Sequence, residues 1–247
     1  MALPFPVPPG LLHPDFTLAH AAEPDAEAAA ELYHGAFQTD PGNTYWWPED
    51  REAMLGWMAA RTRRKMADRS MRHFKVADAR TGEMVAFARW GIPRGSAAFG
   101  EWLGGDGVNG EAAASLAGGA DAPQPPSSAA LDLPRGADPE LCRGFFDGLV
   151  RMSSRWMAED MLCLSLIATS TKHFKRGAAK ALMAPMLGIA DAEGVKTYLE
   201  ATPAGKPVYA KLGFREVDSL EFNLDELTKD RHGVYKLCIM IREPARQ

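Results

Sequence analysis

The feature that most constrains the fold is the segment of residues 161–168, the most continuous apolar run in the chain. An uninterrupted run of this length is typical of a strand with both faces buried, as in the middle of a sheet with parallel neighbours. It is followed by a small-residue turn, an Ala/Leu/Met-rich helix that ends near Gly194 and a second strand at residues 195–201. This alternation of strand, helix and strand predicts an α/β protein.

The rest of the chain supplies further elements for such a sheet. Apolar residues at helical spacing predict helices, and short apolar segments between turn signals predict strands. The predicted helices cover residues 25–37, 49–68, 138–159 and 207–212, and the predicted strands cover residues 16–20, 74–78, 84–90, 214–224 and 234–242.

Two segments differ in composition from the rest of the chain. Residues 1–15 form a proline-rich arm, and residues 91–136 are rich in Gly, Ala, Pro and Ser. Such a composition buries too little apolar surface to offset the entropy lost on ordering, so we expect residues 91–136 to be an irregular insert. Residues 16–244 are therefore predicted to form one domain that carries this insert.

Charge and cysteine content disfavour several classes of protein. The chain has 28 Lys and Arg against 32 Asp and Glu, a formal net charge of −4, whereas nucleic-acid binders usually carry a basic stripe. Cys142, Cys163 and Cys238 lie far apart, which argues against a disulfide framework or a zinc site. No apolar run approaches the roughly 18 residues of a membrane span, and prolines interrupt the apolar N-terminus. We therefore expect a cytoplasmic monomer or homodimer that binds no nucleic acid, membrane or metal.

A basic turn after residues 161–168 is the best candidate for a binding site. Lys172, Lys175 and Arg176 flank a turn that enters a helix at Gly177. Free backbone N–H groups at a helix start bind phosphate oxygens, and small residues let a phosphate approach the backbone. The turn is therefore predicted to bind phosphate, although Gly/Ala turns before helices also occur for packing alone.

Blocks of sequence in and beyond this turn resemble one known family. Residues 174–179, Phe-Lys-Arg-Gly-Ala-Ala, match the phosphate signature Gln/Arg-x-x-Gly-x-Gly/Ala at its glycine and its last position, while Phe174 departs from it. Residues 198–205 and 208–214 resemble a strand and a Tyr-x-x-Leu-Gly-Phe ending. At these residues the sequence resembles the GNAT superfamily of N-acetyltransferases, and within it small fungal-type members of unassigned substrate. Residues 16–37 resemble the family's first strand and helix.

The resemblance implies a fold and a cosubstrate. The fold is a GNAT-like mixed, mostly antiparallel sheet, flanked by helices and splayed between its fourth and fifth strands, here residues 161–168 and 195–201. Acetyl-CoA would enter the gap as cosubstrate. The backbone groups implied to pair with its pantetheine arm are those of Leu166, Ile167 and Ala168. The N–H groups implied to hold its pyrophosphate belong to Lys175, Arg176, Gly177, Ala178, Ala179 and Lys180.

The resemblance also suggests catalytic groups. In acetyl transfer a neutral amine attacks the thioester, so the amine must lose a proton, and the departing thiolate is stabilised by receiving one. Tyr209 occupies the position where many family members place a tyrosine general acid; the alternative is a structural ring packed beside Leu212. Glu200 is a candidate base near the gap; the alternative is an ion pair with Lys196 or Lys211.

Three adjacent aromatic residues suggest an acceptor pocket. The family uses the loop between its first two helices, here residues 38–48, in which Tyr45, Trp46 and Trp47 offer surface for an apolar or cationic substrate. The same side chains also suit packing onto the core.

The predicted function is acetyl-CoA-dependent N-acetyl transfer to a small amine. Direct transfer is favoured because no nucleophile with an adjacent base is visible in the sequence. One alternative is a non-catalytic acyl-CoA-binding module. A second, a nucleotide-phosphate binder, is disfavoured because the chain has no P-loop or dinucleotide-binding frame.

Overall fold

The computed structural model describes residues 3, 5, 7–40, 42–93 and 132–245. Most of the predicted insert, residues 94–131, lies outside the described residues, as do four positions of the predicted arm. Among the described helices, none has both the length and the apolar character needed to cross a bilayer.

Seven strands form one sheet in the order β1-β2-β3-β4-β5-β7-β6. Strands β4 and β5 are parallel, and the other neighbouring pairs are antiparallel. The strands are β1 Phe16–His20, β2 Met71–Asp78, β3 Met84–Gly91, β4 Leu162–Thr169, β5 Thr197–Ala201, β6 Arg215–Asn223 and β7 Val234–Arg242. The predicted mixed, mostly antiparallel sheet is confirmed, and the apolar run that predicted a central strand is β4.

Six helices flank the sheet in the described part of the chain. They are α1 Ala26–Phe37, α2 Arg51–Ala67, α3 Pro139–Arg155, α4 Ala178–Ala192, α5 Lys206–Lys211 and α6 Leu224–Leu227. Two begin at aspartate caps, because the Asp50 carboxylate accepts a hydrogen bond from the Ala53 N–H and the Asp138 carboxylate accepts one from the Glu140 N–H.

The predicted end of α3 is wrong in detail. Helix α3 ends at Arg155 rather than near residue 159, because Met157 takes a left-handed conformation with φ of 50°. Pro185 lies inside α4, but the helix continues through it to Ala192.

Helices cover both faces of the sheet. On one face, Leu182 and Met186 of α4 pack in a core that also contains Tyr209 of α5. On the other face, Trp57 of α2 and Phe145 of α3 belong to a second core. A ligand that reaches the sheet through a gap between strands therefore contacts elements from both layers.

The described residues of the N-terminal arm pack on the α4 face. Leu3, Phe5 and Leu12 contact the core on that face. The Phe5 ring lies 5.3 Å from the Phe74 ring, measured between centroids. The arm thus adds apolar contacts to the sheet beside the start of α4.

Candidate active site

The sheet opens between β4 and β5. Their pairing covers only three positions and ends at Leu164 and Leu199, although β4 continues to Thr169. On its other edge, β4 has a register shift against β3, since Arg89 pairs with Leu166 but Trp90 pairs with Leu164. The extra residue, Ser165, is a β-bulge, which bends the strand that carries it.

Part of the predicted cosubstrate site lies at an open strand edge. Beyond Leu164, no residue of β4 pairs with β5. The edge of β4 that faces β5 therefore presents unpaired backbone groups, which need a partner in a ligand or in water. Leu166, Ile167 and Ala168, the residues implied to pair with pantetheine, lie on this segment.

The turn before α4 has the backbone geometry of an anion site. Lys175 and Gly177 both have positive φ, 63° and 85°, within three residues of each other. When left-handed residues occur this close together, successive backbone N–H groups point to one concave side of the chain. The first turn of α4 adds further N–H groups that have no partner within the helix. The implied pyrophosphate residues Lys175, Arg176, Gly177, Ala178, Ala179 and Lys180 all lie in this turn or in the first turn of α4.

The Arg176 side chain contacts the arm and the start of β1. Its Nη2 donates to the Asp15 carboxylate at 3.0 Å, and its guanidinium lies 4.3 Å from the centroid of the Phe16 ring. Asp15 therefore offsets part of the positive charge of the turn. Lys175 and Lys180 remain exposed beside it.

The arm also approaches the backbone at Gly177. A Cβ atom added there would lie 3.0 Å from the carbonyl oxygen of Leu11. Gly177 is therefore required both by its positive φ and by this close approach.

Replacing Gly177 by alanine is expected to destabilise the fold by about 1–3 kcal/mol, because an L-residue at this φ is strained and its Cβ meets Leu11. Chemical denaturation measures the change. The matched control is Gly188→Ala, because Gly188 lies inside α4 with no atom within 4 Å of an added Cβ. That substitution is expected to stabilise the helix by about 0.5–1 kcal/mol. Equal stability of the two variants would contradict the expected strain at Gly177.

One cavity joins the open edge to both candidate catalytic side chains. It has a volume of about 260 Å³, and Glu200 of β5, Tyr209 of α5 and Leu166 of β4 line it. Its outer wall is aromatic and comes from α1, α2 and α3. The wall residues are Tyr33, Phe37, Trp57, Phe145 and Phe146.

Glu200 has the electrostatic character of a proton acceptor near neutral pH. Burial raises its pKa to about 7, and the neighbouring phenol of Tyr198, on the same face of β5, opposes that rise. Among the ion pairs of the described residues, none includes Glu200. Lys196, one of its two predicted alternative partners, instead pairs with Glu243 at 2.9 Å.

Tyr209 is held at the cavity by its helix and by a glycine. Its ring packs edge-on against Phe214, with 5.9 Å between centroids, and a Cβ added at Gly205 would lie 2.9 Å from its Cε2 atom. Burial raises the pKa of Tyr209 to about 12. The phenol is therefore protonated at neutral pH and has a proton to donate.

The three adjacent aromatic residues are not among those that line the Glu200 cavity. Tyr45 and Trp46 are buried in the core, and Trp46 stacks on Phe145 at 5.3 Å between centroids. Trp47 is half-buried. All three line a second cavity, of about 440 Å³, next to the start of α3.

The sequence interpretation missed two kinds of residue in the Glu200 cavity. The aromatic wall belongs to apolar stripes, and a stripe that faces a cavity has the same spacing as one that faces a solid core. The other residues are Arg61 and Arg89, which also line the cavity. Arg89 interrupts the apolar strand β3, and a charge within such a segment was the available signal.

Similarity to known proteins was found only in structure. No sequence-family model matches the chain, and no curated protein matches it. A protein from Corynebacterium glutamicum, described as histone acetyltransferase HPA2 and related acetyltransferase, is similar with a TM-score of 0.54 and 18% identity. That similarity covers 94% of this chain and 98% of the other.

Two further solved structures are similar over most of their length. A putative arylalkylamine N-acetyltransferase 7 from the yellow fever mosquito has a TM-score of 0.59 and 12% identity, covering 93% of this chain and 88% of the other. The C-terminal condensation domain of Ebony, in complex with β-alanyl-dopamine, has a TM-score of 0.55 and 12% identity, covering 92% and 98%. Together with the sheet that opens between β4 and β5, these similarities show that the chain has the fold of the GNAT N-acetyltransferases.

Proposed function

We propose that this protein is an acetyl-CoA-dependent N-acetyltransferase that acts on a small amine by direct transfer. The observation that carries the proposal is the placement of Glu200 and Tyr209 in one cavity at the open edge of β4. A base with a pKa near 7 and an acid that stays protonated are the two groups that the reaction needs.

The chemistry follows from the two side chains. Glu200 accepts a proton from the ammonium form of the acceptor, and the resulting amine attacks the thioester carbonyl of acetyl-CoA. The C–N bond forms and the C–S bond of the tetrahedral intermediate breaks. Tyr209 then donates its proton to the departing thiolate. The second proton of the attacking nitrogen passes through solvent to the phenolate, and Glu200 releases its proton to solvent.

The cosubstrate is proposed to lie along the turn and the strand edge described above. The N–H groups from Lys175 to Lys180 would hold the pyrophosphate, and the open edge from Leu166 to Ala168 would pair with the amides of pantetheine. These contacts use backbone atoms, so the loss of a polar side chain at Phe174 leaves them in place.

The acceptor is proposed to be small and to carry an apolar or aromatic body. A cavity of about 260 Å³ with an aromatic wall suits such a molecule. Arylalkylamine and β-alanyl-dopamine, named for two of the structural neighbours, are of this kind. The three free cysteines fit a reducing compartment such as the cytoplasm.

The second candidate is a non-catalytic acyl-CoA-binding module. It is favoured by Phe174, which is 56% exposed where the phosphate signature has a polar side chain. Both candidates bind acetyl-CoA, and only the enzyme releases free CoA when an amine is added.

The test combines binding and turnover. Acetyl-CoA at about 100 times its dissociation constant is expected to add roughly 2.7 kcal/mol to the free energy of unfolding, measured as a raised melting temperature. A panel of small amines is then screened for release of the CoA thiol. Stabilisation by acetyl-CoA without thiol release from any amine would favour the binding module. Stabilisation by ATP but not by acetyl-CoA would overturn both candidates.

A further inference from the structure

Arg89 is a buried cation with no carboxylate partner in the described part of the chain. It lies on β3 and is 8% exposed. Its Nε donates a hydrogen bond to the Ser165 Oγ at 3.0 Å, and that hydroxyl donates to the Arg89 carbonyl oxygen at 3.2 Å. None of the ion pairs of the described residues includes Arg89. A buried charge without a counter-charge is costly, so its presence calls for a ligand.

A second cation lies on the wall of the same cavity. The Arg61 guanidinium of α2 lies 5.3 Å from the Trp57 ring and 4.9 Å from the Phe146 ring, measured to the centroids. The Asp132 carboxylate acts on Arg61 through its charge but is bonded to Arg64. The aromatic faces therefore hold the Arg61 side chain in place without neutralising its charge.

The charges of Arg89 and Arg61 act on each other and on Lys65. Burial and the neighbouring arginines lower the pKa of Lys65, and burial lowers the pKa of Arg89 to about 10. Arg89 thus remains protonated at neutral pH. This end of the cavity is cationic, whereas the end at Glu200 is acidic.

We infer that Arg89 and Arg61 form a subsite for the carboxylate of a small substrate. The inference names a substrate class for the proposed acetyl transfer and rests on it. Guanidinium groups bind carboxylates through charge-assisted hydrogen bonds, which are stronger than neutral ones. The aromatic wall between the two ends accommodates the apolar body of the same molecule.

The two candidate contacts come from strands on either side of β4. Arg89 is on β3 and Glu200 is on β5, with β4 between them, and both side chains line the same cavity. Neighbouring strands lie about 4.8 Å apart, so the two backbone positions are about 10 Å apart or more. An amine held at Glu200 and a carboxylate held at Arg89 therefore suit an amino acid. The carboxylate can come from a second source, a dicarboxylic acyl group on CoA.

The first experiment compares acceptors that differ only in the carboxylate. The pairs are tyrosine with tyramine, tryptophan with tryptamine and 4-aminobutyrate with butylamine, each with acetyl-CoA. The carboxylate-bearing member is expected to have the higher kcat/KM. Arg89→Met is expected to lower the ratio of the two kcat/KM values by about 10- to 100-fold, as expected for a lost hydrogen-bonded charge pair. Arg63→Gln is the control for loss of an arginine outside the cavity, because Arg63 lies on α2 like Arg61 but pairs with Glu27 and does not line the cavity.

The second experiment varies the acyl donor. Succinyl-CoA and acetyl-CoA are compared with one plain amine, butylamine, in the wild type and in Arg89→Met. If the loss in the variant is specific to succinyl-CoA, the carboxylate belongs to the acyl group. If the loss is specific to amino acids, it belongs to the acceptor.

Binding without CoA separates this inference from the proposed function. Titration with 3-phenylpropionate is expected to give saturable binding to the wild type and affinity at least 10-fold weaker in Arg89→Met. If the protein binds 3-phenylpropionate in this way but acetylates no amine, the inferred carboxylate subsite stands and the proposed acetyltransferase activity is rejected. Two results together would overturn the subsite. The first is acetylation of amines with no preference for a carboxylate on either the acceptor or the acyl donor. The second is equal affinity of the wild type and Arg89→Met for 3-phenylpropionate.

Stability distinguishes a binding role of Arg89 from a structural one. Removing an uncompensated buried charge is expected to leave the melting temperature of Arg89→Met unchanged or higher. An Arg89 that only holds the bulge at Ser165 would instead give a lower melting temperature and equal losses on all substrates. Arg61→Gln provides a second variant, at a less buried position, and is expected to lower the same kcat/KM ratio.

Discussion

Glu200→Gln is expected to lower kcat/KM by about 10² to 10⁴, the usual contribution of a positioned general base. In the wild type the base must be ionised, so kcat/KM should rise with pH and level off above the Glu200 pKa of about 7. The variant should lose this acidic limb, because glutamine has no proton to release. A pH–rate profile of both proteins with one amine measures the difference.

The same substitution is expected to stabilise the protein at alkaline pH. The pKa of Glu200 is about 7 in the folded chain against a reference of 4.5, so the folded state retains a proton that the unfolded state has released. The free energy of unfolding of the wild type therefore falls as pH rises from about 4.5 to about 7. Glu200→Gln avoids this loss and should be more stable at pH 8 by on the order of 1–3 kcal/mol, with little difference near pH 4.

The control for both measurements is Glu193→Gln. Glu193 follows α4 on the surface, away from the cavity. The Glu193→Gln variant should retain the wild-type rate and the wild-type dependence of stability on pH. An unchanged rate and profile in Glu200→Gln, with chemistry limiting, would assign proton removal to another group or to water.

Tyr209→Phe is expected to lower kcat by about 10² to 10⁴, because the variant keeps the ring packed against Phe214 but loses the proton for the thiolate. CoA affinity should stay within a few-fold of the wild type. Since the pKa of Tyr209 is about 12, its ionisation should produce no fall in rate within the ordinary assay range.

A thioester with a better leaving group provides the decisive comparison for Tyr209. An activated acyl donor whose thiolate needs no proton should react with Tyr209→Phe nearly as fast as with the wild type. Tyr235→Phe is the matched control, because the Tyr235 hydroxyl donates to Asp40 at 3.2 Å and lies outside the cavity. A rate loss in Tyr209→Phe that is equal for both donors would show that the phenol positions the substrate and does not protonate the thiolate.

The order of helices and strands could be predicted because it depends on local patterns of apolar residues and turn signals. The apolar run that became β4 and the stripe of α4 begin and end within a few residues of their predicted bounds. The splay was implied by family resemblance and not by periodicity. The register shift at Ser165 depends on how β3 pairs with β4. The spacing of apolar residues within one strand does not reveal how that strand pairs with its neighbour.

The contents of the cavity were harder to predict than its location. Tyr209 and Glu200 line one cavity, whereas Tyr45 and Trp46 are buried in the core and do not line it. Adjacent aromatic residues before a helix can either line a pocket or pack in the core. Only the packing of α3 against the loop decides between these two roles. Arg89 stands in an apolar strand, where its charge marks a position that hydrophobic packing does not explain.

The bulge at Ser165 also bears on self-association. An unpaired strand edge is ordinarily a template for another chain and a risk for aggregation, which proteins reduce by covering or shortening the edge. Here the unpaired edge lies inside the sheet, where β5 diverges from β4 and the helices stand over both faces. The opening is therefore flanked by strands and helices of the same chain, unlike an edge at the border of a sheet. Pairing of β4 with β5 beyond Leu164 would add hydrogen bonds, so selection for stability alone would favour a closed sheet.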